Sequence, residues 1–113
     1  MQIIYITNNT TIATDVVVAD TFKTRAIGLL NREGINDGEA LVITRCQSIH
    51  MFFMKFAIDV IFADKNNRVV GLVKTIKPFC LSPLFFKANY AVELSSGTIL
   101  ATNTSIGDQI ELA

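Results

Sequence analysis

Short runs rich in β-branched residues alternate along this chain with clusters of Asn, Asp, Gly and Pro. Gln2 to Thr7 reads as a strand, and Asn8-Asn9 suits the positive φ angles of a tight hairpin turn. Thr10 to Ala19 continues as strand, with Ile12 and the Val16-Val17-Val18 run. The period then changes, and Asp20 or Thr21 fits an N-cap. Beyond it Phe22, Ala26, Leu29 and Leu30 stand at offsets of 0, 4, 7 and 8, the apolar stripe of a helix. Gly28 weakens that helix, and Asn31 to Gly38 ends it in a polar loop with two glycines. This is the one substantial helix expected.

Glu39 to Thr44 returns to strand and feeds the stretch Arg45 to Asp59, RCQSIHMFFMKFAID. Ile58 to Ala63 is apolar at every position but Asp59, as in a strand covered on both faces. The segment DKNNR turns the chain back into Val69 to Ile76. A two-residue Asn66-Asn67 turn would set Lys65 opposite Arg68. A three-residue turn with Asn67 left-handed pairs Asp64 with Arg68 instead. Opposed charges contribute up to about 1 kcal/mol and like charges cost, so the three-residue turn is preferred. That register sets Asp59 opposite Val73, on a face shared with Ile61, Ala63 and Gly71. Lys77 to Ala88 holds both prolines, Pro78 and Pro83, and reads as a loop made apolar by Leu84, Phe85 and Phe86. Tyr90 to Leu94 is a strand, and Gly97 to Asn103 a single helical turn. Ile106-Gly107-Asp108 then turns the chain into a last strand, Gln109 to Leu112. The pattern predicts a mainly β chain, residues 1–113 forming a single-domain β-sandwich or barrel-like fold with one helix.

Composition narrows the function more than the fold. The chain has 113 residues, half of them apolar and 18% charged, which marks a globular domain. Ten basic and ten acidic residues cancel, and a nucleic-acid partner needs a basic face. No uncharged run has the length and apolarity of a membrane span. The opening MQIIYITNNT lacks the basic region and long apolar core of a secretory signal. A cytoplasmic location is therefore expected, with Cys46 and Cys80 reduced.

Candidate chemistry concentrates in Arg45 to Asp59. The stretch holds the only histidine, His50, together with Cys46, Met51, Met54 and three of the eight phenylalanines. Arg45, His50, Lys55 and Asp59 are set among residues suited to a core, where an unpaired polar group costs about 2–7 kcal/mol. Cys46, His50, Met51 and Met54 are soft-metal ligand types. In a strand, however, Cys46 and His50 stand about 13 Å apart, and a closed zinc site needs four ligands. A nucleophilic cysteine with His50 as base and Asp59 as orienter needs all three in contact, and no nucleophile-elbow pattern surrounds either cysteine. Asp59 is the sharpest residue. Its structural roles are an ion pair with Arg45 or Lys55, or hydrogen bonds to a loop backbone. Its functional role is a ligand-orienting carboxylate in a polar pocket with His50 and Ser48.

The sequence also resembles a family, domain of unknown function 192, from about Val16 to Ile110. The resemblance rests on Ala19-Asp20-Thr21, Arg25, Gly28-Leu29-Leu30 and Glu39-Ala40-Leu41, then on Cys46, Ser48-Ile49-His50 and Phe53-Met54-Lys55-Phe56. Ile58-Asp59-Val60, Phe62, Pro78, Glu93-Leu94, Gly97-Thr98 and Ile106-Gly107-Asp108 complete it. It implies a compact, mostly β fold without an established activity, in a family many of whose members carry export or lipid-anchor signals. The chain departs from the family pattern at Ala57, where a proline is usual, and at Asn67, where a glycine is usual. Asn67 tolerates the same left-handed geometry.

Together these features predict non-enzymatic binding of a small molecule or protein partner by a monomer, with no cofactor, metal or catalytic residue. The expected binding residues are Arg45, Ser48, His50, Lys55 and Asp59, bordered by the Lys77 to Lys87 loop. The alternative is a small hydrolase or metal-assisted enzyme using His50, Asp59 and a cysteine.

Overall fold

The computed structural model describes residues 3–5 and 10–112, and the side chains of all of these except 3–5, 22, 23 and 26. The chain runs β1 (Ile3–Tyr5), β2 (Thr10–Ala13), β3 (Asp15–Ala19), α1 (Phe22–Ile27), β4 (Glu39–Thr44), β5 (Ile58–Ala63), β6 (Val69–Ile76), β7 (Tyr90–Ser95), α2 (Thr98–Thr102) and β8 (Ile110–Leu112). Two sheets result, a three-stranded one in the order β2-β1-β8 and a five-stranded one in the order β3-β4-β7-β5-β6. The architecture is mainly β and sandwich-like, and the larger sheet is an open one with β3 and β6 as its edges. The Asn8-Asn9 turn lies outside the described residues.

The run expected as one strand from Thr10 to Ala19 is shared between the sheets. It breaks at Thr14, where the backbone N–H groups of Thr14 and Asp15 both donate to the Gly38 carbonyl at 3.0 Å. β2 pairs antiparallel with β1, and β3 pairs parallel with β4. Helix α1 starts where expected, with the Thr21 hydroxyl accepting from the Thr24 N–H at 3.1 Å and Thr24 bonding back to the Thr21 N–H. It ends sooner than expected. Gly28 takes φ 50° and ψ −123° and closes the helix after Ile27, a conformation open to a residue without Cβ. Leu29 is buried and Leu30 half-buried beyond that break, so the last two positions of the stripe sit in a turn rather than on the helix. The Phe22 and Ala26 side chains lie outside the described ones. α2 is the single helical turn expected between Gly97 and Asn103.

The larger sheet has a core on each face. Ile61, Val92 and Leu94 pack on one side against Ile12, Ala13 and Ile110 of the smaller sheet. Val60, Phe62 and Ala91 face the other way and pack under Leu29, Ile49, Met51 and Met54. Every residue of β5 and of β7 is buried, the double coverage that the apolar run of β5 implies. Full burial of a side chain such as Met51, Ile58 or Phe62 contributes about 1.5–3 kcal/mol.

The β5–β6 hairpin turns as expected. Asp64 and Arg68 bracket the turn, with the Asp64 N–H donating to the Arg68 carbonyl at 2.9 Å and Asn67 at φ 61°. The Asn67 side chain is held by the Tyr90 hydroxyl at 2.8 Å, a bond that a glycine there could not accept. Beyond the turn the register departs from expectation. A bulge opposite Phe62 and Ala63 moves the pairing by one residue, so Val60, and not Asp59, stands opposite Val73. Gly71 consequently pairs with Phe62. A Cβ built on Gly71 would fall 2.5 Å from the Phe85 ring. Phe85 in turn lies 4.6 Å from Phe62, ring centroid to ring centroid. Glycine at this point lets the proline-bearing loop fold flat onto the sheet, while Phe86 beside it stays exposed.

Candidate functional site

The segment after β4 leaves the sheet through a strained residue. Arg45 has φ 51°, uncommon for a residue with a side chain, and its carbonyl accepts from the Arg25 guanidinium at 2.9 Å. The chain then runs beside the proline-bearing loop. Met51 donates to the Cys80 carbonyl at 2.8 Å, Phe79 to the Met51 carbonyl at 2.7 Å, and Ser82 to the Ile49 carbonyl at 3.0 Å. This irregular ribbon, together with the turn after α1, encloses a cavity of about 440 Å³ over the second face of the sheet. Its size lies within the range of small-ligand pockets, about 300–1,000 Å³.

Arg45, Ser48 and His50 line this cavity, as does Leu84 from the bordering loop. His50 is exposed and stacks on Phe52, with ring centroids 5.1 Å apart. Two of the five expected binding residues are elsewhere. Lys55 makes an exposed ion pair with Glu33 at 2.8 Å. Asp59 is 1% exposed on the opposite face of the sheet, among Ile61, Leu94 and Ile99. Neither Arg45 nor any other cation reaches Asp59 among the described residues. Its Oδ1 accepts from the Thr75 N–H at 2.7 Å, and its Oδ2 from the Gly97 and Ile99 N–H groups at 3.1 and 2.9 Å. Of the two structural roles open to Asp59, hydrogen bonding to backbone is the one realised. A second β5–β6 bulge makes this possible, placing Thr75 at φ 51° with its N–H turned toward the carboxylate.

The group missed by sequence reasoning is Glu93. It sits on β7 between Leu41 of β4 and Val60 of β5, on the cavity face. It is 6% exposed and forms part of the cavity lining. No described residue donates a hydrogen bond to it. Burial pushes its carboxyl up from an ordinary 4.5 to about 7. A Cβ at Gly28 would stand 3.8 Å from its Oε1, so the missing side chain of Gly28 keeps the space beside the carboxyl open. Arg25 also lines the cavity, and its Nε is buried without a partner. The signal for Glu93 was present in YAVEL, one carboxylate inside an apolar strand, the same pattern that drew attention to Asp59.

Cys46 completes the floor. Burial pushes its thiol up, Glu93 adds to the effect, and contact with the Ser48 backbone and the Arg25 charge oppose it. The thiol donates to the Ser48 carbonyl at 3.1 Å. The thiol form is therefore favoured over the thiolate that nucleophilic attack requires. Cys46 and Cys80 are both free. A site combining His50, Asp59 and a cysteine does not assemble, because the sheet lies between Asp59 and the other groups. Among the described residues no three His, Cys, Asp or Glu side chains gather as a metal-holding group, and no helix is long and apolar enough to cross a membrane.

Residues 3–112 match the model of the DUF192 family, described as Uncharacterized ACR, COG1430. Two curated relatives are UPF0127 proteins. The protein of Thermococcus sibiricus is 39% identical over 100 residues, covering 85% of this chain and 64% of its own length. The Pyrococcus horikoshii protein PH1112 is 39% identical over 103 residues, covering 86% of each. Among solved structures, a protein of unknown function from Novosphingobium aromaticivorans shares the fold with a TM-score of 0.78 at 21% identity, over 86% of this chain and 74% of that one.

Proposed function

The chain belongs to the DUF192 family, and on that footing we propose that it is a monomeric cytoplasmic binding protein that takes a small amphipathic ligand in the cavity beside Glu93. The observation that carries this is the Glu93 carboxyl, buried at the cavity wall without a hydrogen bond in a fold that otherwise satisfies its buried carboxylate, Asp59. Burial disfavours the charged form of that carboxyl, which lines the cavity with no donor from the described residues, and a ligand donor there offsets the cost. Apolar walls from Leu29, Ile43, Ile49 and Met54 and a polar mouth at Arg45, Ser48 and His50 suit a ligand with both characters. Hydrolysis is the weaker alternative, because Cys46 is held as a thiol and Asp59 is remote. The test is a ¹H–¹⁵N NMR titration with a fragment panel of amines, carboxylates, amides and alcohols. Shifts are expected to cluster at Gly28, Cys46, Ser48, His50 and Glu93. A panel that moves none of these resonances, or only the exposed Phe53–Phe79 surface, rejects the cavity as the binding site.

A further inference from the structure

Two polar groups at the cavity wall lack partners and are opposite in kind. Glu93 can accept hydrogen bonds or balance a positive charge. Arg25 presents a buried Nε–H with nothing to receive it, while its Nη2 is already committed to the Arg45 carbonyl. No ion pair joins them in the structure. Both act on the Cys46 thiol that lines the same cavity, Glu93 raising its pKa and Arg25 lowering it. Resting on the cavity assignment above, we propose that the ligand is a zwitterionic α-amino acid with an apolar side chain, its ammonium group received by Glu93 and its carboxylate by Arg25.

The balance of charges and hydrogen bonds selects this class. An amine alone pairs with Glu93 but leaves the Arg25 Nε–H unsatisfied and adds a cation beside a cation. A carboxylate alone satisfies Arg25 but brings no donor group to Glu93 and, once Glu93 is ionised, sets a second negative charge beside it. A zwitterion meets both groups without changing the net charge of the site, and buried charges persist when paired and hydrogen-bonded. Leu29, Leu30, Ile49, Met54 and Leu84 supply an apolar wall for the side chain. Arg45 at the mouth adds positive charge on the carboxylate side, its own Nη2 donating to the Asp20 carbonyl at 3.2 Å.

Binding is then coupled to a proton. In the empty protein below about pH 7 the Glu93 carboxyl is protonated. The ammonium group favours the carboxylate, and the proton released goes to solvent. The other titratable or charged groups lining the cavity are Arg25 from α1 and Arg45, Cys46 and His50 from the segment after β4. The cross-strand neighbours Leu41 and Val60 carry no charge.

The test is calorimetry on the full chain with L-leucine, L-methionine and L-phenylalanine as probes, against N-acetyl-L-leucine and isoamylamine. One or more of the three amino acids is expected to bind at least about tenfold more tightly than either one-ended probe. Glu93→Gln should lower that affinity at least about tenfold and abolish the proton release seen on binding at about pH 6. Arg25→Lys, which lacks the Nε–H, should weaken N-acetyl-L-leucine as well as the amino acid. If Glu93→Gln does not fold, as judged by circular dichroism, the probe series on the wild type decides alone. The zwitterion assignment is overturned if no amino acid binds below about 10 mM, if isoamylamine binds as well as leucine, or if a folded Glu93→Gln retains the affinity. Should other fragments shift the cavity resonances while amino acids do not, the cavity stands and the zwitterion falls. Should none shift them, both fall.

Discussion

Asp59 of β5 and Glu93 of β7 are one step apart in the same ladder, since Glu93 pairs with Val60. Both are carboxylates inside otherwise apolar strands, and both are buried, at 1% and 6% exposure. They point to opposite faces of the sheet. Asp59 meets the start of α2 and the bulge at Thr75, which supply three backbone N–H groups. Glu93 meets Leu41, Val60 and a cavity, which supply none. A buried charge inside a strand is therefore not by itself a site. The local backbone decides, because a carboxylate satisfied by fixed N–H donors has no capacity left for a ligand, whereas an unsatisfied one does.

Truncation on the two faces should show the largest contrast. Asp59→Ala leaves three N–H donors unpaired and is expected to cost about 3–5 kcal/mol in urea unfolding. Arg45→Met should add to it without coupling, to within about 0.5 kcal/mol, because the two residues share no partner. A coupling well above that would mean that Arg45 and Asp59 interact after all.

The contrast also has a pH signature. Glu93 has a folded pKa of about 7 against an ordinary 4.5. Between these values the folded protein binds more protons than the unfolded one, so stability falls as pH rises through the window and the loss is complete above about 7. At 1.36 kcal/mol per pH unit that loss is on the order of 3 kcal/mol. Denaturant melts at about pH 5 and pH 8 should show it in the wild type and not in Glu93→Gln, which should be the more stable protein at the higher pH. Parallel pH profiles for the two proteins would place Glu93 in a solvated or paired environment.

Gly71→Ala probes the roof on the Glu93 side, since a Cβ there meets the Phe85 ring at 2.5 Å. A cost of about 1–3 kcal/mol is expected, with loosening of the 77–88 loop detectable by hydrogen exchange. An unchanged melt would show that Phe85 is free to move aside. Lys55→Ala should have the smallest effect, within about 0.5 kcal/mol, because its ion pair with Glu33 is exposed. A larger loss would return Lys55 to consideration as part of a built site.

Much of this molecule is determined locally, and that part was legible. The Thr21 cap follows from side chain–backbone bonding within one turn. The left-handed Asn67 follows from a five-residue turn closed by Asp64, whose carboxylate accepts from the Asn66 and Arg68 N–H groups while the Arg68 guanidinium goes to the Gly107 carbonyl and not to Asp64. The strands follow from apolar runs whose burial needs no knowledge of their neighbours. Arg45, Ser48 and His50 share a cavity because they lie on one short segment. Glu93 and Arg25 join them only through the sheet order β4-β7-β5 and the turn at Gly28, contacts separated by tens of residues. The bulges opposite Phe62 and at Thr75 were equally hidden, since a one-residue slip depends on how β6 fits Phe85 and α2 rather than on its own pattern. The alternation of β7 places Glu93 on one face or the other, but only tertiary packing determines which face receives donors and which is left with a cavity. Asp59 and Glu93 carry the same signal in the sequence, one acid inside an apolar strand, although only Asp59 was singled out from it. The supply of backbone N–H groups, which no side-chain pattern encodes, separated the structural acid from the candidate ligand group.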